Sequence, residues 1–186
     1  MEAVLERKIS WREFLEMDFP DDGFIYELIN GELMRRSSPN PPHQRVVSRL
    51  NARLEIFVSE KKLGHVFPAP LDVFMGDLNG IQPDILFVSK EREFIIDNQN
   101  GIMGAPDLIV EVISPGYVRR DRVEKKEVYE QFAVREYWII DPDHRTVEIL
   151  VMQNNAYVLH AFLENEGKAA SAILEGFEID IQMLFE

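Results

Sequence analysis

Cysteine is absent from the 186 residues. That removes disulfides, thiolate metal sites and cysteine nucleophiles in one step. No apolar run is long enough to cross a bilayer. Met1 to Trp11 carry charges throughout and lack an apolar signal core. Export is therefore not expected, and a cytoplasmic home is. There is no Gly-rich phosphate loop, no serine elbow and no histidine pair at zinc spacing. These absences argue against an NTPase, a serine hydrolase and a zinc enzyme. Basic residues are in the minority, 20 Lys and Arg against 33 Asp and Glu, for a formal net charge of −13. Such a balance argues against a surface coated in positive charge for loose nucleic-acid binding. It leaves room for a nuclease, because a metal site is itself built from carboxylates and a local basic stripe can track phosphates.

Hydrophobic residues make up 46% of the chain and charged residues 28%, enough for one sizeable core in an ordinary charged surface. The length suits one domain over 1–186, with 1–20 as a small helical appendage. Ser10 followed by Glu13 reads as a capping box for a short helix from Trp11 to about Met17. Phe24 to Ile29 and Glu32 to Arg36 read as a hairpin around Asn30-Gly31. Val46, Val47, Leu50, Leu54, Phe57 and Val58 recur at spacings of three and four, which predicts an amphipathic helix from His43 to about Lys61. Strands are expected at 66–70, 71–75, 85–88, 108–113 and 137–140. A helix is expected over 121–132, a second hairpin around Asn154-Asn155, and a closing helical turn over 181–185. This order predicts an α/β (α+β) fold with a mixed central sheet flanked by helices.

Glu111 is the most informative residue. It interrupts Leu108-Ile109-Val110-Glu111-Val112-Ile113, a strand whose composition demands burial. A carboxylate there is costly unless paired, protonated or bound to a cation. Alternation places it on the side of Ile109 and Ile113, away from Leu108, Val110 and Val112. Asp84 stands just ahead of a second apolar strand, Ile85-Leu86-Phe87-Val88. Adjacent strands would bring the two carboxylates together, and a divalent cation would relieve their repulsion. All-oxygen ligation suits Mg²⁺ or Mn²⁺. On residue type alone, Asp84 reads equally as a turn residue after Pro83. Lys125, within Glu124-Lys125-Lys126-Glu127, reads more readily as part of a solvated charged face.

The ordered series of motifs resembles the Uma-two family of restriction endonucleases, within the PD-(D/E)XK nuclease superfamily. The resemblance is carried by Tyr26-Glu27-Leu28-Ile29-Asn30-Gly31-Glu32-Leu33, His43, Pro83-Asp84 and Pro106-Asp107-Leu108-Ile109-Val110-Glu111-Val112-Ile113-Ser114-Pro115. It continues through Asp121-Arg122-Val123-Glu124-Lys125 with Tyr129 and Glu136-Tyr137-Trp138-Ile139-Ile140-Asp141-Pro142. It implies a restriction-endonuclease-like fold in which Asp84 and Glu111 bind the metal. The superfamily lysine two residues after the acidic residue is replaced by Ile113. The resemblance places that lysine at Lys125, on the following helix, where it shares a face with Tyr129. It also implies that Glu27 acts as an acidic residue from an early element, holding a second metal or a water. Otherwise Glu27 is a hairpin surface residue.

His43 contacts substrate or carries a proton, or else simply caps its helix. Asp107 orients the site from behind, or closes a turn after Pro106. Arg119, Arg120, Arg122, Lys125 and Lys126 cluster locally, and Arg119, Arg122 and Tyr129 are the candidates for substrate contact. Arg45, Arg49 and Arg53 recur every four residues on the long helix, where ordinary salt bridging is the safer reading. Phe162, Leu163, Phe177, Met183, Leu184 and Phe185 complete the core or face a second copy in a homodimer. The function expected is a Mg²⁺-dependent (or Mn²⁺-dependent) endonuclease, a hydrolase of DNA phosphodiester bonds, with no membrane association. The alternative is a catalytically inactive binding or regulatory module of the same fold.

Overall fold

The computed structural model describes residues 7–117 and 119–186. In chain order the elements are α1 (Trp11–Leu15), β1 (Phe24–Ile29), β2 (Glu32–Ser37), α2 (Pro41–Lys61), β3 (Gly64–Pro68), β4 (Val73–Phe74), β5 (Gly80–Ile81) and β6 (Ile85–Ser89). A 3₁₀ segment (Lys90–Ile95) leads to β7 (Ile96–Asp97), β8 (Gly101–Met103) and β9 (Leu108–Val112). A π-helical stretch (Arg120–Lys125) runs into α3 (Lys126–Gln131). Then come β10 (Glu136–Asp141), β11 (Thr146–Gln153), β12 (Ala156–Glu164), β13 (Lys168–Ala170), β14 (Glu178–Asp180) and α4 (Gln182–Phe185).

The mixed α+β class is as expected, with the strands divided between two large sheets. One has the order β2-β1-β5-β4-β8-β7, the other β12-β11-β10-β9-β6-β3, and β13 pairs with β14 alone. The second sheet is mixed, because β10 runs parallel to β9 while β6 runs antiparallel to it. Strand β4 lies within the expected 71–75, and the strands that sequence periodicity does not reveal, β5, β7, β8, β13 and β14, have two or three residues each. That is too short for alternation to register.

Local chemistry sets the boundaries. Ser10 and Glu13 form the reciprocal capping box of α1. Of the appendage expected over 1–20, residues 1–6 lie outside the described residues. The Asn30-Gly31 turn has positive φ at both positions, as a two-residue hairpin requires. Asn40 caps α2, accepting from His43 N, and Pro41 begins the helix where no amide donor is needed.

The central strands of the second sheet, β6, β9 and β10, are buried on both faces. On one side Val46, Leu50, Leu54 and Val58 of α2 pack with Ile85, Phe87, Val110 and Trp138, joined by Phe177 and Leu184 from the C-terminal segment. On the other side Leu86, Val88, Ile109 and Ile139 meet Ile29, Val73, Ile81 and Ile102 of the first sheet, with Val128 and Tyr129 of α3. Each fully buried Leu or Val contributes about 1.5–3 kcal/mol. Among the residues that could have served either core or partner, Phe177 and Leu184 are core, while Phe162 and Met183 are exposed. Among the described residues no helix is long and apolar enough to cross a membrane.

Candidate active site

Register brings the two carboxylates together. β6 and β9 pair with Ile85 opposite Val110 and Leu86 opposite Ile109. One step beyond the first of these pairs, Asp84 falls opposite Glu111, and directly opposed residues share a face. That face is the one of Ile109 and Ile113, turned toward the first sheet. Asp84 is 4% exposed and Glu111 3%. Asp84 Oδ2 accepts from Val112 N at 2.8 Å and lies 3.1 Å from His43 Nε2 in the first turn of α2. Asp84 Oδ1 and Glu111 Oε2 carry no hydrogen bond among the described residues.

Lys125 enters from the π-helical stretch, a winding often found where helices carry functional groups. Its Nζ lies 2.9 Å from Glu111 Oε1, 3.0 Å from Glu27 Oε1 and 4.0 Å from Asp121 Oδ1. Tyr129, one turn on, donates its hydroxyl to the same Glu111 Oε1 at 2.5 Å. Lys125 is 1% exposed, whereas Lys126 stays half-buried. Lys125 therefore lies among the carboxylates, where the resemblance put it, and is not part of a solvated charged face.

Glu27 arrives from β1 in the other sheet and is fully buried, so it is not a hairpin surface residue. Its Oε1 also accepts from Gln82 N at 3.0 Å. Its Oε2 has no hydrogen bond among the described residues and lies 3.7 Å from Arg36 Nε and 4.0 Å from Arg120 Nη1. Arg36 reaches Glu27 because β2 pairs Arg36 with Ile25 and Met34 with Glu27, making the two diagonal neighbours.

The electrostatics follow from this geometry. Burial pushes Glu111 up to about 8, against the pull of Lys125 and with the help of Asp84, Asp121 and Glu27. Burial likewise pushes Asp121 up to about 6, opposed by Lys125 and Arg120. For Glu27, burial is outweighed by Lys125, Arg36 and Arg120, and its carboxyl is held below the ordinary range. Asp84 is also held low, the His43 contact overcoming burial. Lys125 is raised, since Glu111, Glu27 and Asp121 more than offset its own desolvation.

The other expected residues distribute differently. Asp107 is fully buried at the start of β9, about 13 Å along the strand from Glu111. It accepts from Ser89 N and pairs with Arg92 and Arg135. It thus ties together the far ends of β6 and β9, not the carboxylate site. Arg119 is exposed and loosely paired with Glu124, and Arg122 is drawn to Glu148 on β11 at 2.9 Å. Tyr129 is fully buried behind Glu111, so it positions that carboxylate and offers no surface to a substrate. Arg45 and Arg53 lie on the exposed face of α2. Arg36 and Asp121 belong to the site without having been singled out. For Asp121 the signal was its place four residues before Lys125. For Arg36 nothing in Arg35-Arg36 tells which of the two turns inward.

The cleft between Asp84, Glu111, Lys125 and Arg120 has a volume of about 10 Å³, room for roughly one water. Among the described residues no group of three or more His, Asp or Glu side chains is arranged to hold a metal ion. Two free carboxylate oxygens facing a cleft with room for a water nonetheless fit a hard cation, since Mg²⁺ commonly takes one or two carboxylates and fills its remaining positions with water and phosphate.

The fold and site define a nuclease-like α+β protein. The structure is similar to that of a putative nuclease belonging to DUF820 from Anabaena variabilis, with a TM-score of 0.78 and 22% identity over 95% of this chain and 97% of that one. At that identity the likeness establishes the fold. The sequence model of the Uma2 family, described as "putative restriction endonuclease", matches residues 11–182, and the chain belongs to that family. No curated protein sequence matches it.

Proposed function

We propose that the protein is a Mg²⁺-dependent or Mn²⁺-dependent endonuclease that hydrolyses DNA phosphodiester bonds. The observation that carries this reading is the opposition of Asp84 and Glu111 across the β6–β9 ladder, with the Lys125 ammonium 2.9 Å from Glu111. Asp84 and Glu111 would hold the cation. The chemistry expected of it is polarisation of the phosphodiester and acidification of the attacking water.

The chain's own residues supply the rest. His43 and Val112 N hold Asp84 through Oδ2. Tyr129 and Lys125 hold Glu111 through Oε1. Each carboxylate thereby keeps one oxygen for coordination. Glu27, its Oε1 fixed by the Gln82 N–H, anchors the ammonium, which stands ready to balance negative charge developing at the phosphorus oxygens. Burial of the set lowers the local dielectric and strengthens each of these interactions.

The test is plasmid cleavage by the purified chain in Mg²⁺ or Mn²⁺, beside Glu111→Ala and Asp84→Asn. Cleavage by the wild type that both variants lose is the expected result. Equal nicking by all three, or none by any with the fold intact and the cation bound, overturns the reading. The second reading, an inactive module of this fold, is favoured by Ile113 at the position where the superfamily carries its lysine. We also propose a homodimer, formed through the outer strand β12, where Val158, Leu159 and Phe162 are exposed.

A further inference from the structure

Two guanidinium groups at the site are buried and under-used. Arg36 is 8% exposed and Arg120 5%. A guanidinium has five N–H donors. Among the described residues Arg36 makes a single hydrogen bond, 3.5 Å to Gln82 O, and Arg120 a single one, 3.3 Å to Arg35 O. The Nε of each has no hydrogen-bond partner. Their shared carboxylate, Glu27 Oε2, is itself unbonded, and its distances of 3.7 and 4.0 Å exceed those of a charge-assisted hydrogen bond, about 2.7–2.9 Å.

Glu27 cannot close both gaps, because its other oxygen is held by Lys125 Nζ and Gln82 N, each at 3.0 Å. A buried cation left so loosely paired is costly unless something else completes it. Both arginines line the cleft that contains Asp84 and Glu111, and they approach it from different elements, β2 and the start of the π-helical stretch. Arg120 is further fixed by lying over the Tyr117 ring at 4.4 Å.

We infer that Arg36 and Arg120 form a two-armed clamp for a phosphoryl oxyanion, holding the substrate's scissile phosphodiester against the carboxylate pair. A phosphodiester has two non-bridging oxygens and can present them in the planar, paired geometry that guanidinium donors match. A lysine ammonium matches that geometry poorly. The cleft, at about 10 Å³, has room for about one water, so a phosphoryl group enters only as the guanidiniums swing away from Glu27 Oε2 and widen it. This separates two kinds of arginine in one short segment. Arg119 and Arg122 pair with Glu124 and Glu148, and only Arg120 turns into the site.

The inference rests on the phosphodiesterase reading, and its test is separable from cleavage. The full chain, labelled with ¹⁵N-arginine, is titrated with a thymidine dinucleotide carrying one phosphodiester, in Mg²⁺ and in EDTA, and the arginine Nε–H resonances are followed by NMR. Arg36→Lys and Arg120→Lys assign the two signals. If either variant fails to fold, contacts to the Tyr117 ring identify Arg120, and contacts to Ile25 across the β1–β2 pair identify Arg36. Both Nε–H signals are expected to shift on titration, and each folded Lys variant to bind the dinucleotide about tenfold more weakly. Unmoved signals at saturating or non-binding dinucleotide, or affinities in both variants within twofold of wild type, overturn the clamp. Shifted arginines without plasmid cleavage would sink the hydrolytic reading and leave the clamp. Cleavage with unmoved arginines would do the reverse.

Discussion

Lys125 Nζ bridges two sheets, lying 2.9 Å from Glu111 Oε1 in one and 3.0 Å from Glu27 Oε1 in the other. The ammonium is the cation shared by two buried carboxyl groups, one from each sheet. Its position links stability to function, because the same contact that keeps the sheets together aims the proposed metal ligand.

Removing that cation should therefore destabilise the fold. Lys125→Ala strands Glu27 and Glu111 without their shared partner, and breaking a buried pair in this way costs about 3–5 kcal/mol. Tyr129→Phe removes one hydrogen bond to a buried carboxyl group and should cost about 0.5–1.5 kcal/mol. Urea unfolding measures both. A Lys125→Ala loss below about 1 kcal/mol would mean that the bridge is not a structural cation.

The pH dependence of stability follows from Glu111 and Asp121. Their unfolded carboxyls ionise near 4.5 and 3.8, while the folded ones are raised to about 8 and about 6. Over that interval the folded chain binds more protons than the unfolded one, so these two groups make metal-free stability fall as pH rises. Glu27 and Asp84 are shifted the other way, and their contribution is lost as pH drops below the ordinary carboxylate range. Glu111→Gln keeps a neutral side chain at the position. It should flatten the decline between pH 5 and 8 in thermal melts taken in EDTA. An unchanged slope would show that Glu111 is not the group responsible.

Cation uptake should expel a proton at neutral pH, because Glu111 must ionise to coordinate. Calorimetric titration with Mn²⁺ at pH 7 should therefore give heats that differ between buffers of different ionisation enthalpy. Asp84→Asn should abolish the heat. Identical heats in both buffers would place the cation elsewhere.

Glu136 offers a control far from the chemistry. It is fully buried, accepts from Trp138 Nε1 at 2.5 Å, and caps the amides of Ala172 and Ile173 at 2.8 and 3.0 Å. Glu136→Ala orphans Trp138 Nε1 and Ala172 N, leaves Ile173 N only the Ser171 hydroxyl, and should lower stability by about 2–4 kcal/mol, with any cleavage activity of the surviving folded chain unchanged. Selective loss of activity at full stability would contradict that assignment.

The proposed dimer predicts a concentration-dependent species by sedimentation at micromolar protein. Leu159→Lys, on the unpaired outer strand, should convert it to monomer, since a lysine there blunts edge pairing. A strictly monomeric wild type removes the proposal.

Much of the frame was legible in the residues themselves. The capping box, the Asn30-Gly31 turn and the three-and-four spacing of α2 are local devices, and local rules read them. Glu111 was conspicuous because a charge inside five branched aliphatics conflicts with burial, and alternation alone assigned its face. What tertiary structure decided is which distant residues meet. Asp84 faces Glu111 only because β6 and β9 run antiparallel in one register. Glu27 and Arg36 join them only because the first sheet packs against the second. The charges of the 119–126 segment divide into inward and outward members only through the π-helical winding and the carboxylates it encounters. Periodicity records how a side chain relates to its own strand or helix. Long-range pairing depends on how whole elements fit together, and no spacing along the chain carries that information.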